Sequence, residues 1–291
     1  MRRILLIIIT ITILSTTSHA EYLVKLNTDI TKFDTSNTIL GSWVVVDSIE
    51  NIDAVYIQEN YVYTACDVAD NNIGKPVLIT ETDMSKLPIK LPPKDTLVAI
   101  LDTGVDLINE AIRNRIFKQY NVSSNNDNVQ DECGHGTHIA GIITSLSNNM
   151  ILPVKVLNGV GTGKSSDIAI GIKWAVDEGA KIINLSLGGT KYDQLLKETI
   201  DYAVEHDCIV VCASGNTYGE RKIYPACLDN TISVGAIDKD GNISPYSNRG
   251  NAVDVYARGD VVSYNLDGEY EERSGTSMAC AIVSAELSMI F

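Results

Sequence analysis

The chain has 291 residues, 45% of them hydrophobic, and its 37 acidic residues outnumber its 23 basic residues to give a formal net charge of −14. This length and composition fit one large core or two modest ones and exclude a disordered or collagen-like chain. An acidic chain lacks the clustered Lys and Arg that neutralise phosphates, so nucleic acid is not expected as a partner.

Residues 1–20 have the features of a secretory signal. Two arginines follow the first methionine, an apolar stretch extends from Ile4 to Leu14, and Ser18-His-Ala20 ends in a small-x-small pattern. We predict cleavage after Ala20 and export of the remainder. The alternative is an uncleaved membrane anchor, but a largely apolar stretch of eleven residues falls short of the roughly 20 that span a bilayer. Stable membrane insertion is therefore not expected.

Residues 21–65 are predicted to form a small α+β module that is rich in strands. Short runs that alternate between apolar and polar residues occur near its start, middle and end. Residues 67–94 read as a linker because asparagines, a glycine and several prolines punctuate them. We therefore divide the chain into a signal (1–20), the module (21–65) and a larger domain (66–291).

From residue 96 onward, short apolar runs alternate with helical stretches. The runs are typical of strands buried on both faces. They comprise residues 97–101, 151–157, 181–187, 208–212 and 231–236. Residues 165–179 indicate a helix that Ser165 or Ser166 can cap and Gly179 can end. This order predicts an α/β fold, a parallel sheet with helices on both faces, whose ligands bind at the carboxyl ends of the strands.

The six cysteines permit disulfides in an exported chain without requiring them. Cys208 and Cys212 lie four residues apart on one predicted strand, roughly 13 Å from each other, and so cannot pair together. The sequence contains no Cys-x-x-Cys, which argues against structural zinc and thioredoxin chemistry. We interpret most of the cysteines as small core residues.

Three reactive side chains stand where predicted strands or glycine turns give way to other elements. Asp102 follows the first strand, whereas His135 and Ser277 each open an apolar helix after a glycine. A serine hydroxyl becomes a good nucleophile when an imidazole takes its proton, and a buried carboxylate fixes the tautomer of that imidazole. The chain supplies all three groups, which predicts nucleophilic catalysis.

The segments around these residues are Asp102-Thr-Gly, His135-Gly-Thr-His-Ile-Ala-Gly and Gly275-Thr-Ser-Met-Ala. They resemble, in the same chain order, the three signatures of the subtilase family of serine peptidases. Ala213-Ser-Gly-Asn216 is similar to the asparagine segment of that family, and Tyr224-Pro-Ala and Tyr246-Ser-Asn-Arg-Gly250 are similar to later landmarks. The resemblance extends from about Val98 to the last residue.

The resemblance implies that Ser277 is the nucleophile, His135 the general base and then acid, and Asp102 its orienting carboxylate. It also implies an oxyanion hole made by the side-chain amide of Asn216 and the backbone N–H of Ser277. A protein or peptide substrate would add as a strand along the cleft, and no cofactor is required. The implied substrate-binding residues are Gly161, Thr162, Gly163, Ser186, Leu187, Gly188, Ala213, Ser214 and Gly215.

The resemblance further implies that residues 21–65 are a short form of the family's propeptide, which assists folding and caps the cleft until it is removed. The chain's own propeptide would then be a partner. Its processing point would lie close to Tyr63-Thr-Ala65. The alternative is that these residues are an amino-terminal extension of the catalytic domain.

Asp102-Thr-Gly also resembles the signature of aspartic peptidases, in which two carboxylates share a proton. That mechanism needs a second such tripeptide or a symmetric dimer, and the chain has only one copy. It also leaves the segments of His135 and Ser277 unexplained. His138 lies one turn after His135 without further ligands at metal spacing, so we predict a structural role for it and no metal site.

The sequence departs from the family pattern at several places. The passage from Ile142 to Ile151 omits most of a loop that binds calcium in many relatives, so a tight calcium site is not expected, although weaker sites made from carbonyls and Asp remain open. The segment after Asn216 is short and charged, which leaves the depth of the primary pocket open.

Only fourteen residues follow Ser277, which suggests that the carboxyl-terminal part of the family domain is missing. The segment they form is apolar on most sides and needs cover. The sequence thus predicts a secreted serine endopeptidase made as a precursor. The alternative is a truncated or degenerate relative that binds peptide without cleaving it.

Overall fold

The structure is a computed structural model that describes residues 21–26, 38–47, 54–66 and 96–289. The predicted signal and the predicted linker lie outside these residues. The strands are β1 (Tyr22–Leu26), β2 (Trp43–Val46), β3 (Ala54–Glu59), β4 (Val62–Ala65), β5 (Val98–Asp102), β6 (Tyr120–Asn121), β7 (Ile151–Lys155), β8 (Thr162–Lys164), β9 (Ile182–Leu185), β10 (Leu187–Gly188), β11 (Ile209–Ala213), β12 (Ile232–Ile237), β13 (Val255–Arg258), β14 (Asp260–Tyr264) and β15 (Tyr270–Ser274). The helices are α1 (Glu110–Arg113), α2 (His135–Leu146), α3 (Ser165–Asp177), α4 (Gln194–Glu205) and α5 (Thr276–Met289).

A seven-stranded parallel sheet carries the larger domain, in the order β13-β12-β11-β9-β5-β7-β6. Its two faces belong to different cores because side chains alternate along each strand. Val98 and Ile100 pack with α2 and α5, whereas Ala99 and Leu101 pack with α3 and α4. The predicted parallel sheet with helices on both faces is therefore confirmed.

Helix α5 is the central helix of one face. It packs against α2 and against strands β9, β11, β12 and β13. Val283, Ala285 and Leu287 have no exposed surface, while Met289 at the end of the helix is 45% exposed. The apolar segment after Ser277 is thus buried between the sheet and α2.

Strands β1 to β3 form an antiparallel sheet in the order β2-β1-β3, which lies against helices α3 and α4. Leu23 and Trp43 form a cluster with Ala169 of α3 and Leu195 of α4. Lys25 Nζ and Trp43 Nε1 each lie 2.8 Å from a carboxylate oxygen of Glu198. Burial raises the pKa of this carboxyl, but its hydrogen bonds outweigh that effect and leave the pKa below its ordinary value.

The amino-terminal turn of α3 is capped from outside the helix. The backbone N–H of Ser166 donates to Asn60 Oδ1 at 3.0 Å, and Ser165 Oγ donates to the same oxygen at 3.1 Å. The prediction that Ser165 or Ser166 caps its own helix is therefore wrong, because the cap residue by position is Lys164 and it makes no side-chain cap. A residue of the amino-terminal module performs this role instead.

All six cysteines lie in the described part of the chain, and none of them forms a disulfide. Cys208, Cys212 and Cys280 are buried. Burial raises the pKa of the Cys208 thiol to about 11, as expected for a core thiol that stays protonated.

In the part of the chain that the structure describes, no helix has the length and apolar character needed to cross a membrane.

Candidate active site

Asp102 and His135 form a buried carboxylate–imidazole pair. Asp102 is the last residue of β5 and His135 the first residue of α2. The two side chains are 0% and 1% exposed, and His135 Nδ1 lies 2.7 Å from Asp102 Oδ1. The same carboxylate oxygen accepts from the backbone N–H of Thr103 at 2.7 Å. A carboxylate at Nδ1 favours the tautomer in which Nε2 is the basic nitrogen.

The start of α2 approaches β5 so closely that glycine is needed at the next position. A Cβ at Gly136 would overlap the carbonyl oxygen of Gly104 and lie 3.2 Å from Asp102 Cβ. The backbone N–H of Gly136 also donates to Thr103 Oγ1 at 2.9 Å. The glycine after His135 thus allows the helix to bring the imidazole to the strand end.

Asp131 holds the first turn of α2, a role that the sequence analysis missed. Its Oδ1 accepts from the N–H groups of Cys133 at 2.9 Å and Gly134 at 3.0 Å. Its Oδ2 accepts from Thr137 N at 2.9 Å and Thr137 Oγ1 at 2.7 Å. Burial raises the pKa of Asp131, but these hydrogen bonds outweigh it and leave the pKa below its ordinary value. The available signal was an acidic residue just before a helix that lacks its own capping side chain.

Ser277 lies in the first turn of α5 and is 0% exposed. Its hydroxyl donates to the carbonyl oxygen of Cys66 at 2.5 Å and to that of Ser186 at 3.1 Å. Its backbone N–H donates to the same Cys66 oxygen at 3.2 Å. Both donors of Ser277 are therefore directed at the carbonyl of Cys66, the residue that directly follows the amino-terminal module.

Asn216 is held so that its amide nitrogen is available. Its Oδ1 accepts from the backbone N–H of Thr276 at 3.0 Å, which defines the orientation of the amide. Its Nδ2 is buried and has no hydrogen-bond partner among the residues that the structure describes. A buried N–H without an acceptor is costly, and such a group is suited to a ligand oxygen.

The segment around Asn216 is supported by Asn248, which the sequence analysis noted as a landmark without a role. Asn248 Nδ2 donates to the carbonyl of Ser214 at 2.7 Å, and its Oδ1 accepts from the backbone N–H of Thr217 at 2.9 Å. The N–H of Gly215 donates to Thr276 Oγ1 at 3.1 Å. Residues 214–217 are thus fixed from both sides, and Ala213 ends β11 directly before them.

The predicted substrate edges form a small antiparallel sheet with the chain's own strand β4. The order is β10-β4-β8, so β4 lies between the two edges. Tyr63 is opposite Gly163, Thr64 is opposite both Thr162 and Gly188, and Ala65 is opposite Leu187. The predicted residues of both edges therefore pair backbone to backbone with residues 62–65.

The backbone pairing continues through Ala65 to Cys66, the last described residue before the predicted linker. The N–H of Ala65 donates to the carbonyl of Gly161 at 3.0 Å, and the N–H of Cys66 donates to that of Ser186 at 3.1 Å. A Cβ on Gly161 would lie 3.6 Å from Ala65 Cβ and 3.7 Å from Cys133 Sγ. Residue 65 and the turn that leads to His135 thus both lie close to Gly161, while Ser277 contacts residue 66.

A cavity of about 360 Å³ lies beside this end of β4. Its lining includes Thr64, Cys66, Gly188, Gly215, Asn216 and Ile223. The predicted residues Ala213 and Ser214 are buried next to it, and they support the wall without lining it. Ile223 is one of the lining residues that the sequence does not single out.

His138 is buried outside this cleft and bonds through Nε2 to the carbonyl of Glu271 at 3.1 Å. Burial, with Arg273 nearby, lowers its pKa to about 3. Among residues 21–26, 38–47, 54–66 and 96–289, no group of three or more His, Cys, Asp or Glu side chains is arranged to hold a metal ion.

A family profile and the curated relatives named here each match more than half of this chain. The profile described as the subtilase family (Peptidase_S8) matches residues 93–290. The chain is 38% identical over 211 residues to the cell wall-associated protease of Bacillus subtilis (strain 168), covering 68% of this chain and 24% of that protein. It is 36% identical over 205 residues to thermitase of Thermoactinomyces vulgaris, covering 66% of this chain and 74% of that protein.

A solved structure agrees with this assignment. The crystal structure of a cold adapted subtilisin-like serine proteinase matches with a TM-score of 0.63 and 30% identity, covering 66% of this chain and 73% of that one. The chain belongs to the subtilase family. It spans 24% of the length of the first relative named above.

Proposed function

We propose that this chain is a serine endopeptidase made as an exported precursor, with Ser277, His135 and Asp102 as its catalytic residues. The observation that carries the proposal is the position of the Cys66 carbonyl. Its oxygen accepts from both the N–H and the hydroxyl of Ser277, at 3.2 and 2.5 Å, while the preceding strand is paired along the cleft. The chain's own peptide thus lies where a substrate would lie.

The chemistry follows from this position. For the reaction the Ser277 hydroxyl turns from the carbonyl oxygens of Cys66 and Ser186 towards His135 Nε2. His135 takes the proton as Oγ attacks the carbonyl carbon of the bound residue, and Asp102 stabilises the imidazolium that forms. The carbonyl oxygen becomes negative and is stabilised by the N–H of Ser277 and by Nδ2 of Asn216. His135 then donates the proton to the leaving nitrogen as the C–N bond breaks. Water hydrolyses the resulting acyl-enzyme by the same steps.

The amino-terminal module fits the role of the chain's own propeptide. Its sheet packs on α3 and α4, Asn60 caps α3, and β4 fills the cleft. Since Cys66 provides the carbonyl at Ser277, we place the processed bond between Cys66 and Asp67. This is one residue beyond the boundary at residue 65 that the sequence suggests. The alternative role, a permanent extension of the catalytic domain, predicts an uncut chain.

The remaining parts of the proposal depend on the sequence. Export follows from residues 1–20, and protein or peptide substrates follow from a cleft that pairs a strand on both sides. The proposed chemistry needs no cofactor. The alternative of a binder that does not cleave rests on a segment after Ser277 that needs cover. Burial of α5 against the sheet and α2 supports the peptidase over that alternative.

A fluorophosphonate probe tests the proposal. Such probes react with activated serines, so we expect the wild type to be labelled and the Ser277→Ala variant to remain unlabelled. Mass spectrometry should find a processed wild type that begins at Asp67 and an unprocessed variant. Labelling that persists in Ser277→Ala would refute the assignment. A folded, unlabelled wild type with an intact module would instead favour binding without cleavage.

A further inference from the structure

The side chain of Cys66 faces a pocket with glycine walls. Its Sγ lies 3.4 Å from the point that a Cβ on Gly188 would occupy. Gly215 lines the same cavity from the neighbouring segment. Because neither wall carries a side chain, the size of the pocket depends on whatever else enters the space between them.

Ile223 enters that space. Its Cγ1 lies 2.6 Å from the position of a Cβ on Gly215, and its Cγ2 contacts the position of a Cβ on Gly188. The side chain therefore extends from one glycine wall to the other, and it is only 6% exposed. Cys66 Sγ and Ile223 Cγ2 both lie close to the same point on the Gly188 wall. Ile223 thus bounds the room left for the side chain at position 66.

The backbone around Ile223 is well fixed. Gly189 and Tyr224 exchange two backbone hydrogen bonds of 2.8 Å each, directly after Ile223. The carbonyl of Ile223 also accepts from the N–H of Cys227 at 3.0 Å. A β-branched side chain has few alternative rotamers, so Ile223 cannot easily turn away to admit a larger group.

We propose that Ile223 restricts this cleft to small side chains at the residue whose carbonyl Ser277 attacks. This inference rests on the proposed peptidase function and names its substrate class: peptides with Ala, Ser or Cys at that residue. Cys66 is the example that the chain itself provides. A Leu or Phe that follows the direction of Cys66 Sγ towards Gly188 would meet Ile223 Cγ2, which lies at the same wall. Overlap of that kind causes strain.

Peptide cleavage by the processed protein tests the inference. Two quenched fluorescent peptides carry the sequence of residues 60–65 followed by Ala-Asp or Phe-Asp. We expect kcat/KM for the Ala peptide to exceed that for the Phe peptide by at least about tenfold, the discrimination that a few methylenes provide in an apolar pocket. In Ile223→Ala, kcat/KM for the Phe peptide should increase. The ratio of kcat/KM for the Ala peptide to that for the Phe peptide should therefore fall, to below one if the Phe peptide becomes the better substrate. Ile243→Ala, at a side chain that is 42% exposed, should keep the wild-type ratio.

The outcomes separate this inference from the function on which it rests. If the wild type cleaves both peptides equally, and Ile223→Ala does not change the ratio, the role of Ile223 is overturned while the peptidase function stands. If a folded wild type cleaves neither peptide and is not labelled by the fluorophosphonate, the peptidase function itself fails.

A second measurement avoids changing Ile223. Full-length precursors carrying Cys66→Ala or Cys66→Phe are compared for the rate at which the module is released, with Ser277→Ala as the control for other proteases. The Phe precursor should be processed at least about tenfold more slowly than the Ala precursor. Equal rates would overturn the inference even if Ile223→Ala does not fold.

Discussion

Tyr63 anchors strand β4 in the cleft and offers a sharp test of how the module is held. Its side chain is 1% exposed and belongs to the same core cluster as Leu185 and Leu187. Its ring lies 3.1 Å from the position of a Cβ on Gly189. The hydroxyl is buried without a hydrogen-bond partner among the described residues, and burial raises the pKa of the phenol.

These contacts predict opposite effects for two substitutions. Tyr63→Phe keeps the ring and removes a polar group that is buried without compensation, so it should increase the free energy of unfolding by about 1–3 kcal/mol. Tyr63→Ala removes the ring and leaves a cavity, which costs about 3–5 kcal/mol for an aromatic residue in a core.

Calorimetry of the full chain in a Ser277→Ala background, where self-cleavage is prevented, measures both effects. A change of 1 kcal/mol shifts Tm by about 2–4 °C in a domain of this size. Tyr63→Ala should therefore lower Tm by on the order of 10 °C, whereas Tyr63→Phe should raise it by a few degrees. Tyr218→Phe, at a side chain that is 63% exposed, is the matched control and should change little. A Tyr63→Phe variant that is clearly less stable than its parent would show that the hydroxyl is hydrogen-bonded and would refute this reasoning.

Four further predictions concern the supports of the site and its dependence on metal. Asp131→Asn should lower the free energy of unfolding by about 1.5–3 kcal/mol and slow fluorophosphonate labelling, because the first turn of α2 loses its charged acceptor. Since the fold lowers the pKa of Asp131, its stabilisation is present above the ordinary value of 3.8 and is lost as the pH falls through the lower, folded value. Asn60→Ala should lower the free energy of unfolding by about 1 kcal/mol by removing the cap of α3. We predict that the chain has no tight calcium site, so EDTA should leave Tm unchanged.

Each of these has a result that would contradict it. If Asp131→Asn is labelled by the fluorophosphonate at the wild-type rate, Asp131 does not position His135. If Asp131→Asn loses as much unfolding free energy at low pH as the wild type does, other groups cause the pH dependence. An unchanged Tm in Asn60→Ala would show that water caps α3 equally well. A large decrease of Tm in EDTA would reveal a calcium site built from carbonyls and single carboxylates.

The sequence predicted those features that depend on local pattern. Buried parallel strands appear as continuous apolar runs, and the described strands β5, β7, β9, β11 and β12 match the predicted ones closely. The position of Asp102 at a strand end, and of His135 and Ser277 at helix starts, follows from the same pattern. The sequence predicts that ligands bind at the carboxyl ends of the parallel strands, and Asp102 lies at such an end.

Local sequence pattern does not predict features that depend on contacts between segments far apart in the chain. Asn60 caps a helix that begins more than a hundred residues later, and no local signal competes with the two serines at that helix start. Ile223 has its effect only because the backbone folds it between two glycines from other segments. Asp131 lies in a loop whose conformation, and not its composition, directs four donors to one carboxylate.

Strand β4 and the groove it fills belong to one polypeptide, so occupancy of the groove does not depend on protein concentration while the chain is intact. If the bond after Cys66 is cut as we propose, the same strand becomes a separate ligand, and the fraction of grooves that it occupies falls as the solution is diluted. Export into a large volume would then release activity without any further signal, whereas crowding at the site of synthesis would keep the groove closed.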